Sequence, residues 1–193
     1  MNCSIFIAPS VDGFIAKEDG GVDWLETVGD SVSKIDEKSE LMKYFNDSFK
    51  NYMKSIDCMI MGRKLMEVLS SFNLSLEQWP YGDIRIIAIS DTLNKVPKNL
   101  SKHIEIYSGS IPALITKLEK QGYKKAYIDG GITITNFFNL GLINEITLTL
   151  APILLGRGIP LFGNFSKQIK LTDAKATAFP NNFIELKYKV KYL

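Results

Sequence analysis

The sequence has few of the residues that mark several common classes of protein. Its 193 residues include only two cysteines, Cys3 and Cys58, each inside an apolar run and without C-x-x-C spacing. This pattern argues against a zinc site and against a redox pair. The only histidine is His103, so a Ser–His or Cys–His catalytic pair is not expected. The net charge of +2 is too small to indicate a nucleic-acid-binding surface.

Long apolar runs and linkers are also missing from the sequence. No stretch reaches the roughly 18 apolar residues of a membrane span. The N-terminal apolar run follows no basic region and is broken by Pro9 and Asp12, which is unlike a signal peptide. We therefore expect a cytoplasmic protein. No repeat or Pro/Gly/Ser-rich linker divides the chain, so we predict one domain over residues 1–193.

Short apolar runs alternate with segments of helical periodicity along the chain. This alternation predicts an α/β fold of three layers, with helices on both faces of a mainly parallel sheet. The tail reads as two strands around Pro180, Asn181 and Asn182, which predicts an antiparallel hairpin at one edge. The predicted strands are residues 4–8, 57–61, 84–89, 104–107, 126–128, 145–151, 167–177 and 183–192. The predicted helices are residues 36–55, 63–70, 110–120 and 132–140.

Two predicted turns from a strand into a helix contain glycine. A helix N-terminus presents free N–H groups and a partial positive charge, and glycine lets a phosphate approach the backbone closely. Two such turns suit a ligand with two separated phosphate groups, such as a dinucleotide. Neither turn matches G-x-G-x-x-G or the P-loop pattern, so glycines that serve only tight turns remain an alternative. The residues concerned are Gly62, Arg63 and Lys64 at the first turn and Gly130, Gly131, Ile132 and Thr133 at the second.

Arg63 and Lys64 place two positive charges at the start of a predicted helix, where they oppose the helix dipole. A 2′-phosphate would resolve this conflict by accepting the arginine fork, which favours NADPH over NADH. A solvated basic pair is the alternative. Hydride transfer needs no protein nucleophile because the cofactor carries the chemistry, and this suits a chain with few candidate nucleophiles.

Two further residues lie close to predicted turns or loops of the N-terminal segment. Asp12 lies in a turn directly after the first predicted strand. Trp24 follows the polar loop of residues 17–23 and could either flank a pocket or belong to the core. The tyrosines of the chain would complete an aromatic cleft for a flat substrate.

Four segments together resemble the dihydrofolate reductase fold superfamily, in the branch of the C-terminal reductase domain of riboflavin biosynthesis proteins. They run in the expected order across nearly the whole chain. The segments are residues 8–16 (APSVDGFIA), 61–64 (MGRK), 128–131 (IDGG), and 141–146 (GLINEI) running into 152–162 (PILLGRGIPLF).

The resemblance implies a sheet of about eight strands, bound NADPH and a homodimer. By position, Ala8, Ile15 and Ala16 should line the nicotinamide, and residues 17–24 should form a loop that closes over it. Gly62, Arg63 and Lys64 should meet the adenosine phosphate, with Ser90 helping at the 2′-phosphate. Gly130, Gly131, Ile132 and Thr133 should hold the pyrophosphate, and Asp12 and Trp24 should border the substrate.

The reaction implied is reduction of a small, heterocyclic substrate of the pterin or pyrimidine type. We predict weak or absent dihydrofolate turnover, because Gly29 stands where dihydrofolate reductases carry the carboxylate that helps to protonate the pterin. Phe6 and Val22 replace a lysine and a serine that are frequent in the riboflavin branch. The alternatives are a non-catalytic nucleotide-binding protein and a flavin-binding protein of the same fold.

Overall fold

A computed structural model describes residues 1–28 and 47–193 of the protein. Its centre is an eight-stranded sheet of order β5-β4-β3-β6-β1-β7-β10-β9. The first six strands in this order are parallel, and β10 and β9 each run antiparallel to their inner neighbour. The strands are β1 (Asn2–Ile7), β3 (Cys58–Gly62), β4 (Arg85–Ile89), β5 (Ile104–Tyr107), β6 (Lys125–Asp129), β7 (Ile143–Leu150), β9 (Ile169–Ala178) and β10 (Ile184–Tyr192).

Helices connect the parallel strands, as crossovers in parallel sheets require. The short α1 (Trp24–Thr27) follows a two-stranded ribbon of β2 (Phe14–Ala16) and β8 (Ile159–Pro160). A second helix, α2, includes residues 47–53. The remaining helices are α3 (Arg63–Phe72), α4 (Ile111–Lys120) and α5 (Gly131–Asn139), with a 3-10 turn at Lys98–Leu100.

The alternation of side chains along the buried strands divides the core into two faces. One face packs against α4 and α5, and we call it the α4/α5 face. Its core includes Cys3, Ile5, Cys58, Ile60, Ala126, Ile128, Leu118, Ile134 and Phe137. The other packs against α2 and α3, and we call it the α2/α3 face. Its core includes Phe6, Met59, Met61, Met66, Leu69, Ile86, Ala88 and Tyr127.

The predicted fold class is confirmed, and most predicted elements lie within two or three residues of those observed. Local signals account for this agreement. Ser110 caps α4 through its hydroxyl, which accepts a hydrogen bond from the Ala113 N–H, and Gly122 follows α4 with a φ of +91°. The helix predicted over residues 36–55 is observed at residues 47–53, and its earlier part lies outside the described residues.

Three short elements were not predicted, namely α1 and the two ribbon strands β2 and β8. β8 has two residues, and its pairing with β2 joins segments that are far apart in the sequence. Such pairing leaves no local periodicity to detect. In the described part of the chain, no helix has both the length and the apolar character that a membrane crossing requires.

Candidate active site

The two glycine turns lie side by side at one edge of the sheet. β3 and β6 are neighbouring parallel strands, and Met61 at the end of β3 pairs with Asp129 at the end of β6. A Cβ atom placed on Gly130 would lie 3.9 Å from the backbone nitrogen of Gly62. α3 and α5 therefore begin next to each other, at the carboxyl ends of the strands where α/β sheets bind ligands.

Thr133 fills the space between the two turns. A Cβ atom on Gly62 would lie 2.6 Å from the Thr133 hydroxyl oxygen, so only glycine fits there without a shift of the neighbour. Gly130 has a φ of +93°, a conformation that favours glycine. The packing of the two helix starts against each other thus explains why Gly62 and Gly130 are glycines. Because glycine has no side chain, the backbone at both turns stays accessible.

Both helix starts lack a side-chain cap. Gly62 and Gly130 are the N-cap residues of α3 and α5, and neither can supply a side-chain acceptor. No acidic residue occurs in the first turn of either helix. The N–H groups of the two first turns are therefore available to an anion.

Arg63 and Lys64 lie at the exposed side of the first turn. The Arg63 Nη1 atom lies 3.2 Å from Glu67 Oε1, and the Lys64 Nζ atom lies 3.8 Å from Glu67 Oε2. The Arg63 side chain is 41% exposed, so this is a surface ion pair rather than a buried one. Such pairs contribute little, which leaves the guanidinium able to exchange Glu67 for another anion.

Ser90 follows β4, whose last residue, Ile89, pairs with Gly62. The Ser90 hydroxyl is buried and accepts hydrogen bonds from the backbone N–H groups of Thr92 (3.3 Å) and Leu93 (3.0 Å). The structure thus brings Ser90 to the same edge as Gly62, with its hydroxyl oxygen engaged in shaping the turn.

The β2–β8 ribbon lies against the start of α5. A Cβ atom on Gly131 would lie 2.9 Å from the Pro160 carbonyl oxygen and 3.3 Å from Ile15 Cδ1. The backbone of Gly158 packs directly on the Ala16 carbonyl oxygen. Ile15 is therefore beside the second glycine turn, with Ala16 next to it in the ribbon and Ala8 in the segment that follows β1.

Asp12 joins two loops at the base of this ribbon. Its Oδ1 atom accepts from the Ser10 hydroxyl (2.6 Å) and the Leu155 N–H (3.1 Å), and its Oδ2 atom accepts from the Gly156 N–H (2.7 Å). The hydrogen bond from Ser10, and then those from Gly156 and Leu155, hold the pKa of Asp12 below its ordinary value. Asp12 is therefore ionised and holds the two loops together through its carboxylate, and it is poorly suited to donate a proton.

Trp24 is 3% exposed and packs with Ala151 and Phe183 in a small separate cluster. Of the two interpretations of its sequence position, the structure favours the core one. Glu26 and Thr27 follow it in α1, and Gly29 lies outside the described residues.

Asp129 is the residue of this site that the sequence reasoning missed. It is partly buried at the end of β6, directly before Gly130. Burial raises its pKa to about 6, against the opposing effects of hydrogen bonds from the Tyr127 hydroxyl (2.7 Å) and the Gly130 N–H (2.7 Å). The sequence signal that could have identified Asp129 is a carboxylate at the end of a buried strand, directly before two glycines.

Aromatic rings cover the α2/α3 face beside Asp129. Tyr127 makes edge contacts with Tyr52 and Phe49, at centroid distances of 5.4 and 6.2 Å. Phe6 lies 5.0 Å from Tyr52, and Phe49 lies 6.3 Å from Tyr81. Burial raises the pKa of each tyrosine among them, so all three hydroxyls stay protonated at neutral pH.

Further polar groups are buried on the same face, toward β10. Glu185 is 5% exposed, accepts from the Ser48 hydroxyl of α2 at 2.5 Å, and pairs with the Lys187 ammonium group at 2.7 Å. Thr149 lies opposite it in the β7–β10 pairing and is 1% exposed, and its hydroxyl has no hydrogen-bond partner among the described residues. Glu185 therefore ties α2 to the sheet.

One surface cavity lies away from the two glycine turns, at the end of α5. It has a volume of about 230 Å³ and is lined by Asn139, Lys167 and Tyr192, among others. Within the described residues, no group of three or more His, Cys, Asp or Glu side chains could hold a metal ion.

Comparison with known proteins places the chain near reductases. A family model described as the RibD C-terminal domain matches residues 3–184. The uncharacterised protein YwjB of Bacillus subtilis (strain 168) is 26% identical over 168 residues, which cover 86% of each protein. The crystal structure of a putative riboflavin biosynthesis protein from Shewanella sp. PV-4 is 30% identical, covers 100% of both chains and has a TM-score of 0.81.

A more distant structure shares the fold. Dihydrofolate reductase from Enterococcus faecalis, complexed with NADP(H), is 12% identical, with 99% of this chain and 97% of that chain covered and a TM-score of 0.60. The parallel sheet and the closing antiparallel strands therefore belong to a known architecture.

Proposed function

The chain belongs to the RibD C-terminal domain family, and on that premise we propose that it is an NADPH-dependent oxidoreductase acting on a small heterocyclic substrate of the pterin or pyrimidine type. The family match and the solved structures confirm the resemblance found in the four sequence segments. The chain has a reductase-type fold. The use of NADPH and the substrate class are our proposal.

The pair of adjacent, uncapped helix starts carries the proposal. Gly62 and Gly130 open α3 and α5 beside each other, so the first turns of both helices begin at one region of the sheet edge. A molecule with two phosphate groups can use both helix starts at once, and their partial positive charges favour its anionic form. The Enterococcus faecalis enzyme, which shares this fold, is described as bound to NADP(H).

We assign the cofactor contacts to three groups of residues. Arg63 and Lys64 beside Gly62 are proposed to bind the 2′-phosphate, because their present partner Glu67 is a single carboxylate shared by both cations. The second turn is proposed to bind the pyrophosphate, and the segments at β1 and β2 to line the nicotinamide. The full set is Gly62, Arg63, Lys64 and Ser90; Gly130, Gly131, Ile132 and Thr133; and Ala8, Ile15 and Ala16.

Asp129 is proposed as the proton donor in place of Asp12 or Trp24. Its pKa of about 6 allows the carboxyl to hold a proton near neutral pH and to release it, which is what general acid catalysis requires. The lowered pKa of Asp12 and the burial of Trp24 leave those two residues the role of shaping the cleft. NADPH, when bound, supplies the hydride, and the chain supplies position, exclusion of water and the proton.

The test of the cofactor assignment is a titration with NADPH and NADH of the parent protein and of Arg63→Ala. Losing a charged hydrogen-bond pair should weaken NADPH binding roughly 10- to 100-fold and leave NADH binding nearly unchanged. Arg85→Ala is the matched control, because Arg85 lies at the opposite end of β4 and pairs with Glu105.

Three outcomes would count against this assignment. Equal losses for both dinucleotides would show that Arg63 does not read the 2′-phosphate. No binding of either dinucleotide at about 100 μM would remove the cofactor, since a Kd near 1 μM is ordinary for such ligands. A purified protein that is yellow would favour the flavin-binding alternative.

Turnover separates an enzyme from a non-catalytic nucleotide-binding protein. Once an acceptor is found in a panel of pterins and pyrimidines, Asp129→Asn should lower kcat about 100-fold or more while NADPH affinity stays within about threefold. Dihydrofolate itself should be a poor acceptor, with kcat below about 1 s⁻¹. The cytoplasmic location, the homodimer and the single-domain organisation stay predictions, and size-exclusion chromatography with light scattering tests the second of them.

A further inference from the structure

The Tyr127 hydroxyl has one proton and two acceptors within reach. Its oxygen lies 2.7 Å from Asp129 Oδ2 and 3.0 Å from the backbone carbonyl oxygen of Phe6. A phenolic hydroxyl donates one hydrogen bond and accepts others, so it can serve only one of these acceptors as donor at any moment. Which of the two acceptors receives the Tyr127 proton therefore depends on whether Asp129 is protonated.

Two arrangements of protons keep Tyr127 and Asp129 hydrogen-bonded to each other. When Asp129 is ionised, the Tyr127 hydroxyl donates to its Oδ2 atom. When Asp129 is protonated, the carboxyl O–H donates to the Tyr127 oxygen and the Tyr127 proton turns to the Phe6 carbonyl. In both arrangements Tyr127 and Asp129 share a hydrogen bond, so neither partly buried group loses its contact with the other, and the Tyr127 hydrogen bond to the Phe6 carbonyl forms only when Asp129 is protonated.

The groups that face Asp129 leave this exchange undisturbed. Among residues 1–28 and 47–193, the titratable groups besides Tyr127 that couple to it are Tyr52 of α2 and Tyr81 before β4, and burial keeps both neutral. Tyr52 directs its hydroxyl to the Ser4 hydroxyl at 2.8 Å. On the α3 side, Arg63 is engaged by Glu67, and the β3 neighbour of Asp129 is the apolar Met61.

We propose that Tyr127 is a positioning residue for Asp129, whose hydroxyl turns between the Asp129 carboxylate and the Phe6 carbonyl each time the carboxyl loses or regains a proton. This inference rests on the proposed function, in which Asp129 is the proton donor. With Asp129 as the proton donor, the substrate that accepts the hydride must place a C=N or C=O bond beside Asp129.

The proton and electron balance of the step is complete. Bound NADPH would supply the hydride to the carbon of the double bond, so that the substrate would be reduced and the cofactor oxidised to NADP⁺. The Asp129 O–H bond breaks and its proton forms an N–H or O–H bond on the substrate. Asp129 is left as a carboxylate that accepts the Tyr127 hydrogen bond, and it is protonated again from water.

The direct test uses the parent protein without cofactor. Carbon-13 NMR would follow the Asp129 carboxyl and the Phe6 carbonyl from pH 4 to 8, with the carboxyl assigned by its loss in Asp129→Asn. We expect both signals to titrate with one midpoint, because the Phe6 carbonyl gains a hydrogen bond when Asp129 is protonated. In Asp129→Asn the Phe6 signal should be independent of pH, since the amide mimics the protonated acid. A Phe6 signal that does not follow the Asp129 midpoint would overturn the proposal.

Tyr127→Phe gives the second test. A hydrogen bond to the charged carboxylate is stronger than one to the neutral acid, so its loss should raise the Asp129 midpoint by about 0.5–1 pH unit. The control is Tyr52→Phe, which removes a buried hydroxyl of the same cluster that is bonded to Ser4, and it should leave the midpoint within about 0.2 unit of the parent. An unmoved or lowered midpoint in Tyr127→Phe contradicts the proposal.

Turnover distinguishes failure of this inference from failure of the proposed function. With an active acceptor, the pH profile of kcat in Tyr127→Phe should shift upward with the NMR midpoint, while KM changes little. If the NMR results hold and Asp129→Asn keeps full kcat, the proton-donor role of Asp129 is wrong and the hydrogen-bond exchange at Tyr127 stands. If Tyr127 served stability alone, Tyr127→Phe would change the unfolding midpoint but would move neither the NMR midpoint of Asp129 nor the pH profile of kcat.

Discussion

The two faces of the sheet are built from the same strands but differ in what they bury. The α4/α5 face is apolar, and its most polar buried side chains in β1 and β3 are the thiols of Cys3 and Cys58. Burial raises the pKa of each thiol to about 12, so both stay neutral and behave as small apolar groups. The α2/α3 face buries hydroxyls and carboxyls on the same strands, and these include Ser4, Tyr127, Asp129, Thr149 and Glu185.

Both faces bury apolar side chains that stabilise the fold, but the α2/α3 face also carries the carboxyl that we propose as the proton donor. An apolar face gains free energy from each side chain that it buries, at about 25 cal/mol for every Å² removed from water. A buried carboxyl such as Asp129 does the opposite unless hydrogen bonds compensate for its lost hydration. The polar groups of the α2/α3 face follow strand after strand from β6 to β10, beside the proposed cofactor site, as is common for functional sites.

The largest expected effect concerns the apolar face. Phe137 on α5 is fully buried there, and Phe137→Ala should lower the free energy of unfolding by about 3–5 kcal/mol through lost burial and a cavity. Urea denaturation followed by fluorescence measures this loss, and NADPH affinity below the transition should stay within about threefold of the parent. A loss of less than about 1 kcal/mol would show that the α4/α5 face is not the main source of stability.

A smaller effect of opposite sign is expected for Asp129→Asn. Because the folded pKa is raised from 3.8 to about 6, the unfolded chain loses this proton at a lower pH than the folded chain does. Stability from this group is therefore present below about pH 4 and is lost as the pH rises through 6. The asparagine variant should equal the parent near pH 4 and exceed it at pH 8 by at most about 3 kcal/mol.

Urea denaturation at a series of pH values measures this difference. Asp83→Asn is the control, because Asp83 is exposed in the loop before β4 and its carboxylate carries no burial penalty. If Asp129→Asn is less stable than the parent at pH 8, the hydrogen bonds to ionised Asp129 outweigh the cost of burying it. Asp129 would then stabilise the α2/α3 face rather than destabilise it.

The smallest effect on stability is expected at the edge of the α2/α3 face. Glu67→Gln removes the carboxylate shared by Arg63 and Lys64, and an exposed pair of this kind contributes at most about 0.5 kcal/mol to folding. NADPH affinity should nevertheless rise several-fold, because both cations are freed for the 2′-phosphate. NADH affinity provides the control and should not change, and a fall in NADPH affinity would place the 2′-phosphate elsewhere.

Most elements of the fold could be predicted because their signals are local. Gly62 and Gly130 stand where a strand turns into a helix, and the apolar runs before them are long enough to fill a buried strand. The strand β8 and the helix α1 escaped prediction because each is held by contacts with distant segments rather than by its own pattern.

The candidate site was predicted in part for the same reason. Arg63 and the glycine turns carry their chemistry in adjacent residues, whereas Asp129 lies in a motif that drew attention only to its glycines. Burial in the folded chain raises its pKa, and no short stretch of sequence records that burial.

The sequence by itself determined the type and order of most secondary structure elements and the position of the two glycine turns, since backbone preferences and the spacing of apolar residues act within a few neighbouring residues. Only the tertiary structure decided that β3 lies beside β6, that α3 and α5 begin side by side, and that Tyr127 stands between Asp129 and the Phe6 carbonyl. Strand pairing joins distant segments, and the affinity of a carboxyl for its proton depends on what covers it, which no local pattern records.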